Sequence, residues 1–99
     1  MKRQYEVTVI IRVLPNEEEF NEAVQQVVNW IEEDENGKVN SINHNIFGRR
    51  RLAYEIDKQR EGYYVMYLAE LDPEQLPELE LNLKLAPQLL RYLIVRVEE

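Results

Sequence analysis

Ninety-nine residues, no cysteine and a net charge of −7 bound what this chain can be. That length predicts one domain over residues 1–99, its core drawn from the 44% of residues that are apolar. The lack of cysteine excludes disulfides and thiolate metal sites, and the acidic balance argues against indiscriminate nucleic-acid binding.

The first strand is predicted over residues 4–13. Tyr5, Val7, Val9 and Ile11 alternate there with Glu6, Thr8, Ile10 and Arg12, the two-residue period of a half-buried strand. Leu14-Pro15 ends it. Asn16 with Glu19 has the spacing of a capping box, and Glu17, Glu18 and Glu19 suit the positive end of a helix dipole. Phe20, Ala23, Val24, Val27, Val28 and Ile31 recur at helical spacing, which predicts a helix over 17–34 with Trp30 at the edge of the core. Residues 35–37 stop it, Gly37 being suited to a left-handed cap, and Glu32–Glu35 read as solvated charges at the unfavourable end of the helix dipole.

A second strand is predicted over 38–47 from Val39, Ile42, Ile46 and Phe47. Gly48 reads as a bulge or bend, and residues 49–56 continue extended. Asp57 to Gly62 reads as a turn. Residues 63–71 are apolar on both sides, the pattern of a central strand. Asp72-Pro73-Glu74-Gln75 opens a second helix, with Asp72 at the N-cap, Pro73 in the first turn and Gln75 at the third position. Leu76, Leu79 and Leu83 carry it over 73–83, and Ala86-Pro87 breaks it. Residues 89–97 form the last strand. This β-α-β-β-α-β order folds most simply as an α+β, ferredoxin-like domain: a four-stranded antiparallel sheet with both helices on one face and the other face open.

Charge is segregated along the chain. Residues 15–37 carry −8 and residues 38–60 carry +4, with His44 counted neutral. Gly48-Arg49-Arg50-Arg51 runs straight into Leu52-Ala53-Tyr54. Guanidinium forks match phosphate geometry, although arginines also protect edge strands. The six tyrosines could stack on bases, but cross-strand packing is the stronger expectation. His44 is the single histidine, and no metal site is expected around it. Ser41 and His44 lack the setting of a nucleophile, and three scattered glycines make no phosphate loop. No enzyme, cofactor or small-molecule substrate is expected. The N-terminus has no apolar signal-peptide core, and no stretch approaches the ~18 apolar residues of a membrane span. A cytoplasmic location without membrane contact is the expectation.

Four stretches carry a family resemblance: Arg3-Gln4-Tyr5-Glu6, Gly48-Arg49-Arg50-Arg51-Leu52-Ala53-Tyr54, Gly62-Tyr63-Tyr64, and Leu83 through Arg91-Tyr92-Leu93. Their order and spacing resemble the bacterial small-subunit ribosomal protein six family over almost the whole chain. The resemblance implies a ferredoxin-like fold, no catalysis, and a place on the ribosome. The implied partners are the central domain of small-subunit ribosomal RNA and a small basic protein, ribosomal protein eighteen, with the chain monomeric when free. Carried over by position, the RNA- and partner-facing residues are Arg3, Tyr5, Lys58, Lys84 and Arg91, joined by Arg50 and Arg51 from the arginine run. Glu55 stands where the family commonly has proline, and Asp57 where it usually has a small or basic residue. A second reading therefore stays open: a divergent or engineered scaffold of the same fold that binds no RNA and self-associates through its sheet face or an edge strand.

Overall fold

The computed structural model describes residues 2–33, 37–56 and 58–97, and for residues 44–50 the backbone alone. Strand β1 (Arg3–Arg12) leads to helix α1 (Glu17–Glu32), then to the long strands β2 (Lys38–Ile56) and β3 (Gln59–Leu71). A 3₁₀ turn (Pro73–Gln75) enters helix α2 (Leu76–Leu85), and β4 (Leu89–Arg96) closes the chain. The strands order as β2-β3-β1-β4, each neighbouring pair antiparallel. This is the expected ferredoxin-like α+β sheet, with β3 central.

Alternation along β1 sends Tyr5, Val7, Val9 and Ile11 to one side, where Val65, Tyr67, Ala69 and Leu71 of β3 join them. Both helices cover that side. Ala23, Val27, Val28 and Ile31 of α1 and Leu79 and Leu83 of α2 complete the buried cluster, with Trp30 half-buried against it. Phe20 meets Tyr63 with ring centroids 4.7 Å apart and planes tilted by 54°, a favoured aromatic arrangement. The Tyr67 hydroxyl, under α1, donates to the Val24 carbonyl oxygen at 3.0 Å.

The helix starts follow the capping chemistry. The Asn16 side chain accepts from the Glu19 N–H at 2.8 Å. Asp72 accepts from the Glu74 N–H at 3.0 Å while the Gln75 side chain accepts from the Asp72 N–H at 3.0 Å. The second helix begins as a 3₁₀ turn for a local reason. The Leu76 N–H reaches back three residues to the Pro73 oxygen, and Pro77, which would make the four-residue step, has no N–H to donate.

Three expectations change. The expected turn over 57–62 is shorter, because β3 already starts at Gln59 and Ile56 pairs directly with Gln59. Those polar residues form a ladder because the end of the β2–β3 hairpin projects past Arg12, the last residue of β1. With no helix over it, neither face has to be apolar. Next, Gly37 is held to glycine by proximity and not by a left-handed backbone: a Cβ there would lie 1.9 Å from the Ile31 carbonyl oxygen. Finally, Glu32, expected to be merely solvated, accepts from the Val39 N–H at 3.0 Å. That donor belongs to β2, an edge strand of the sheet, where the N–H groups on the outer side have no strand to bond to. Residues 35 and 36 of the expected helix stop, Asp57, and the side chain of His44 lie outside the described residues.

Candidate nucleic-acid interface

The strand residues that point away from the helices build an uncovered sheet face. Three rungs cross β3, β1 and β4 in register: Leu68–Glu6–Val95, Met66–Thr8–Leu93 and Tyr64–Ile10–Arg91. Leu93 is 61% exposed, Val95 45% and Leu68 37%, so the rungs make an apolar strip with Arg91 at one end. Gly62 extends the face opposite Arg12. A Cβ on it would lie 2.6 Å from Ile10 Cγ2, so glycine there lets Ile10 lie flat.

Beyond Arg91 the sheet gathers positive charge. β4 is an edge strand, and a shallow depression along it is lined by Lys84, Leu89, Leu90, Arg91 and Tyr92, with Leu83. Lys84 from the last turn of α2 and Arg91 from the sheet therefore border one feature. The projecting hairpin leaves from this same end, because Arg12 bonds to the residues that lead into β4: its N–H donates to the Gln88 oxygen at 3.0 Å and its Nε to the Pro87 oxygen at 2.8 Å. Arg51 lines a second depression at the hairpin's base with Val13, Gln59, Arg60 and Glu61. Lys58 stands exposed at the tip with φ 63°, in the left-handed region that lysine rarely occupies. Glu55 faces Arg60 across the hairpin at 4.0 Å. The position where the resembled family commonly has proline thus holds one half of a cross-strand ion pair.

Of the residues singled out in the sequence, the structure brings Lys84 and Arg91 together and places Arg51 and Lys58 on the hairpin at the same end. Arg3 stands apart. It is exposed opposite Leu71, seven positions from Ile10 and so about 23 Å along β1 from the Arg91 rung. The Arg50 side chain lies outside the described residues. Tyr5 requires a correction. It is 5% exposed and belongs to the core, so its ring offers no face to a base. The alternation of β1 puts it with Val7 and Val9, under the helices. Tyr67 and Tyr63 likewise pack inward, in line with the packing expectation, whereas Tyr54 is exposed and Tyr64 lies on the open face.

Sequence reasoning did not single out Arg12 or Arg60. The signal for Arg12 was its place in the polar half of the first strand's alternation. Arg60 was hidden within what read as a turn. Arg12 is engaged in holding β4, so its role is structural as well as electrostatic. Among the described residues no group of three or more His, Asp or Glu side chains is placed to hold a metal ion, and no helix is long and apolar enough to cross a membrane. Asp72 titrates below the usual carboxylate range because the Glu74 N–H bonds to its charged form. Burial pushes the Tyr67 hydroxyl far above the ordinary tyrosine value.

Comparison with known proteins bears on this geometry. A family model described as Ribosomal protein S6 matches residues 4–96. The chain is 39% identical over 98 residues to the small ribosomal subunit protein bS6 of Alkaliphilus metalliredigens, covering 97% of this chain and 98% of that protein. It is 40% identical to the bS6 of Moorella thermoacetica, covering 98% and 96%. The crystal structure of 30S ribosomal protein S6 from Thermotoga maritima superimposes with a TM-score of 0.87 at 34% identity, covering 98% of this chain and 89% of that one.

Proposed function

Because this chain belongs to the ribosomal protein S6 family and is a structural protein of the small ribosomal subunit, not an enzyme, we propose that it docks on the central domain of the subunit's ribosomal RNA together with ribosomal protein eighteen. Its site of work is the ribosome, in the cytoplasm. The observation that carries the finer reading is the uncovered sheet face, an apolar strip that runs into Arg91 at the end where Lys84 and the hairpin cations lie.

The division of labour follows from the chemistry of each region. Lys84 and Arg91 neutralise phosphates at the β4 border, and Arg51 and Lys58 do so along the hairpin. Such contacts fix orientation without reading sequence. Arg50 joins them through the family resemblance. Arg3 makes a separate contact, a long step away along β1. Ile10, Tyr64, Met66, Leu68, Leu93 and Val95 offer the apolar surface that a protein partner would cover. Protein eighteen is basic, and its charge complements an acidic chain. The acidic helices face away from the RNA, which reconciles −7 overall with a locally positive end. Alone, the chain is a monomer, its strip interrupted by Glu6 and Thr8.

The test is binding of a labelled central-domain RNA fragment, titrated at several salt concentrations with and without protein eighteen. Tight, salt-sensitive binding that depends on protein eighteen is the expected result. No binding under either condition would overturn the proposal and leave a scaffold that kept the fold alone.

A further inference from the structure

The helix layer carries a feature that the RNA reading leaves unused. Two depressions lie between α1 and α2, and Trp30 and Asn82 line both. One, of about 240 Å³, is lined by the buried Leu71 and Leu79 and by two exposed carboxylates, Glu33 at the end of α1 and Glu78 on α2. The other, of about 270 Å³, continues past Trp30 to Leu85 and Pro87. Joined through Trp30 and Asn82, they are read as one groove between the helices, with carboxylates at the Glu33 end and, among the described residues, no charged residue at the Leu85 end. Leu85 and Leu81, one helical turn apart, are 69% and 54% exposed on α2, more than core packing requires.

The charge around the groove selects its occupant. Residues 17–33 carry six glutamates and neither lysine nor arginine. Residues 73–85 carry Glu74, Glu78 and Glu80 against Lys84, and Lys84 faces the β4 border, where it lines the depression described above. Arg3, opposite Leu71, and Lys38, opposite Glu70, are cations at the acidic end, but they are not among the residues that line the groove. A polyanion is repelled here. A tryptophan face beside two carboxylates suits a guanidinium or ammonium group, and the Leu85 end suits an apolar side chain. Amphipathic helices and extended segments use such grooves for side-chain anchors.

We propose that the α1–α2 groove docks a segment of a partner protein that combines arginine or lysine with a leucine-like anchor. The cation lies between Glu33 and Glu78 against Trp30, and the apolar anchor lies against Leu85. This surface is opposite the open sheet face, so it is available while the sheet side is occupied.

Trp30 is the only tryptophan in the chain, so its emission reports the groove directly. The full chain is titrated with a blocked octapeptide alternating arginine and leucine, and with its glutamate–leucine counterpart. The expected result is a saturable, salt-sensitive change in Trp30 emission with the basic peptide and none with the acidic one. Glu33→Gln with Glu78→Gln should weaken that binding roughly tenfold. Glu17→Gln with Glu18→Gln, at the far end of α1, should leave it unchanged. No response to the basic peptide would overturn the proposal. So would equal weakening by both double variants, which would mean diffuse attraction to an acidic surface. An emission change on raising the protein concentration alone would also overturn it, by showing a second copy in the groove. RNA binding by the Glu33→Gln/Glu78→Gln variant stays at the parent level if the two surfaces are independent, so failure here is distinguishable from failure of the RNA reading.

Discussion

Removing one oxygen atom, Tyr67→Phe, tests how the helix layer is fixed to the back of the sheet. Tyr67 is fully buried, and its hydroxyl donates to the Val24 carbonyl at 3.0 Å. That carbonyl lies within α1, so it retains its helical partner when the hydroxyl is deleted. The loss is then one net hydrogen bond and a small void, about 1 kcal/mol at neutral pH. For a domain of this size that lowers Tm by roughly 4–8 °C. High pH reverses the order. Burial raises the folded-state pKa of Tyr67 far above that of the unfolded chain, which is about 10. Its contribution to stability is therefore complete below pH ~10 and is lost as pH rises from there towards the folded value. The loss per pH unit is about 1.4 kcal/mol, so parent and variant should become equally stable near pH ~11. Urea unfolding at pH 7, 10 and 11 reads both effects. A variant as stable as the parent at pH 7, or a gap that stays constant through pH 11, would refute the assignment of this hydroxyl as buried and bonded.

Three further outcomes follow from particular contacts. Gly37→Ala puts a Cβ against backbone, 1.9 Å from the Ile31 oxygen, where no rotamer change relieves it; thermal melts should show a loss of about 2 kcal/mol or more. Lys58→Gly removes a side chain from left-handed backbone and should stabilise the protein by about 0.5–1 kcal/mol, while lowering the salt dependence of RNA binding by about one unit if Lys58 meets a phosphate. Asp72→Ala removes the carboxylate that caps the 3₁₀ turn; because its folded-state pKa is depressed, its contribution is present above the unfolded value of about 3.9 and fades as pH falls through the lower folded value. Denaturant melts from pH 7 to pH 2 should show parent and variant converging at the acidic end.

Much of the fold was readable because local chemistry and tertiary packing agree. Asn16 and Asp72 cap the helices that their spacing to Glu19 and Gln75 announces. The alternation of β1 separates a buried row from a row on the open face. That alternation also placed Tyr5 in the core, against the role that positional resemblance had lent it. What could not be read depended on the third dimension. Residues 59–62 look like a loop because they are polar, yet they form a strand on a hairpin that no helix covers. The left-handed backbone of Lys58 belongs to a turn whose residue type does not signal it. The use of Glu32 as an acceptor follows from the edge position of β2, and the requirement for glycine at 37 from a carbonyl six residues earlier. At the site, Arg51, Lys58, Lys84 and Arg91 were individually visible as cations. Their collection at one end, and the separation of Arg3 from it, come from the strand order.

The proposed docking on ribosomal RNA rests on the cations at the β4 border. The direct test compares the parent chain with Lys84→Ala/Arg91→Ala for binding to the central-domain RNA fragment in the presence of protein eighteen, from low to moderate salt. Both side chains are exposed, so folding should be unaffected. Weaker binding by the variant is expected, with a plot of log affinity against log salt that is flatter by about 1.4–1.8 units, two phosphate contacts' worth. Unchanged affinity and an unchanged slope would contradict it.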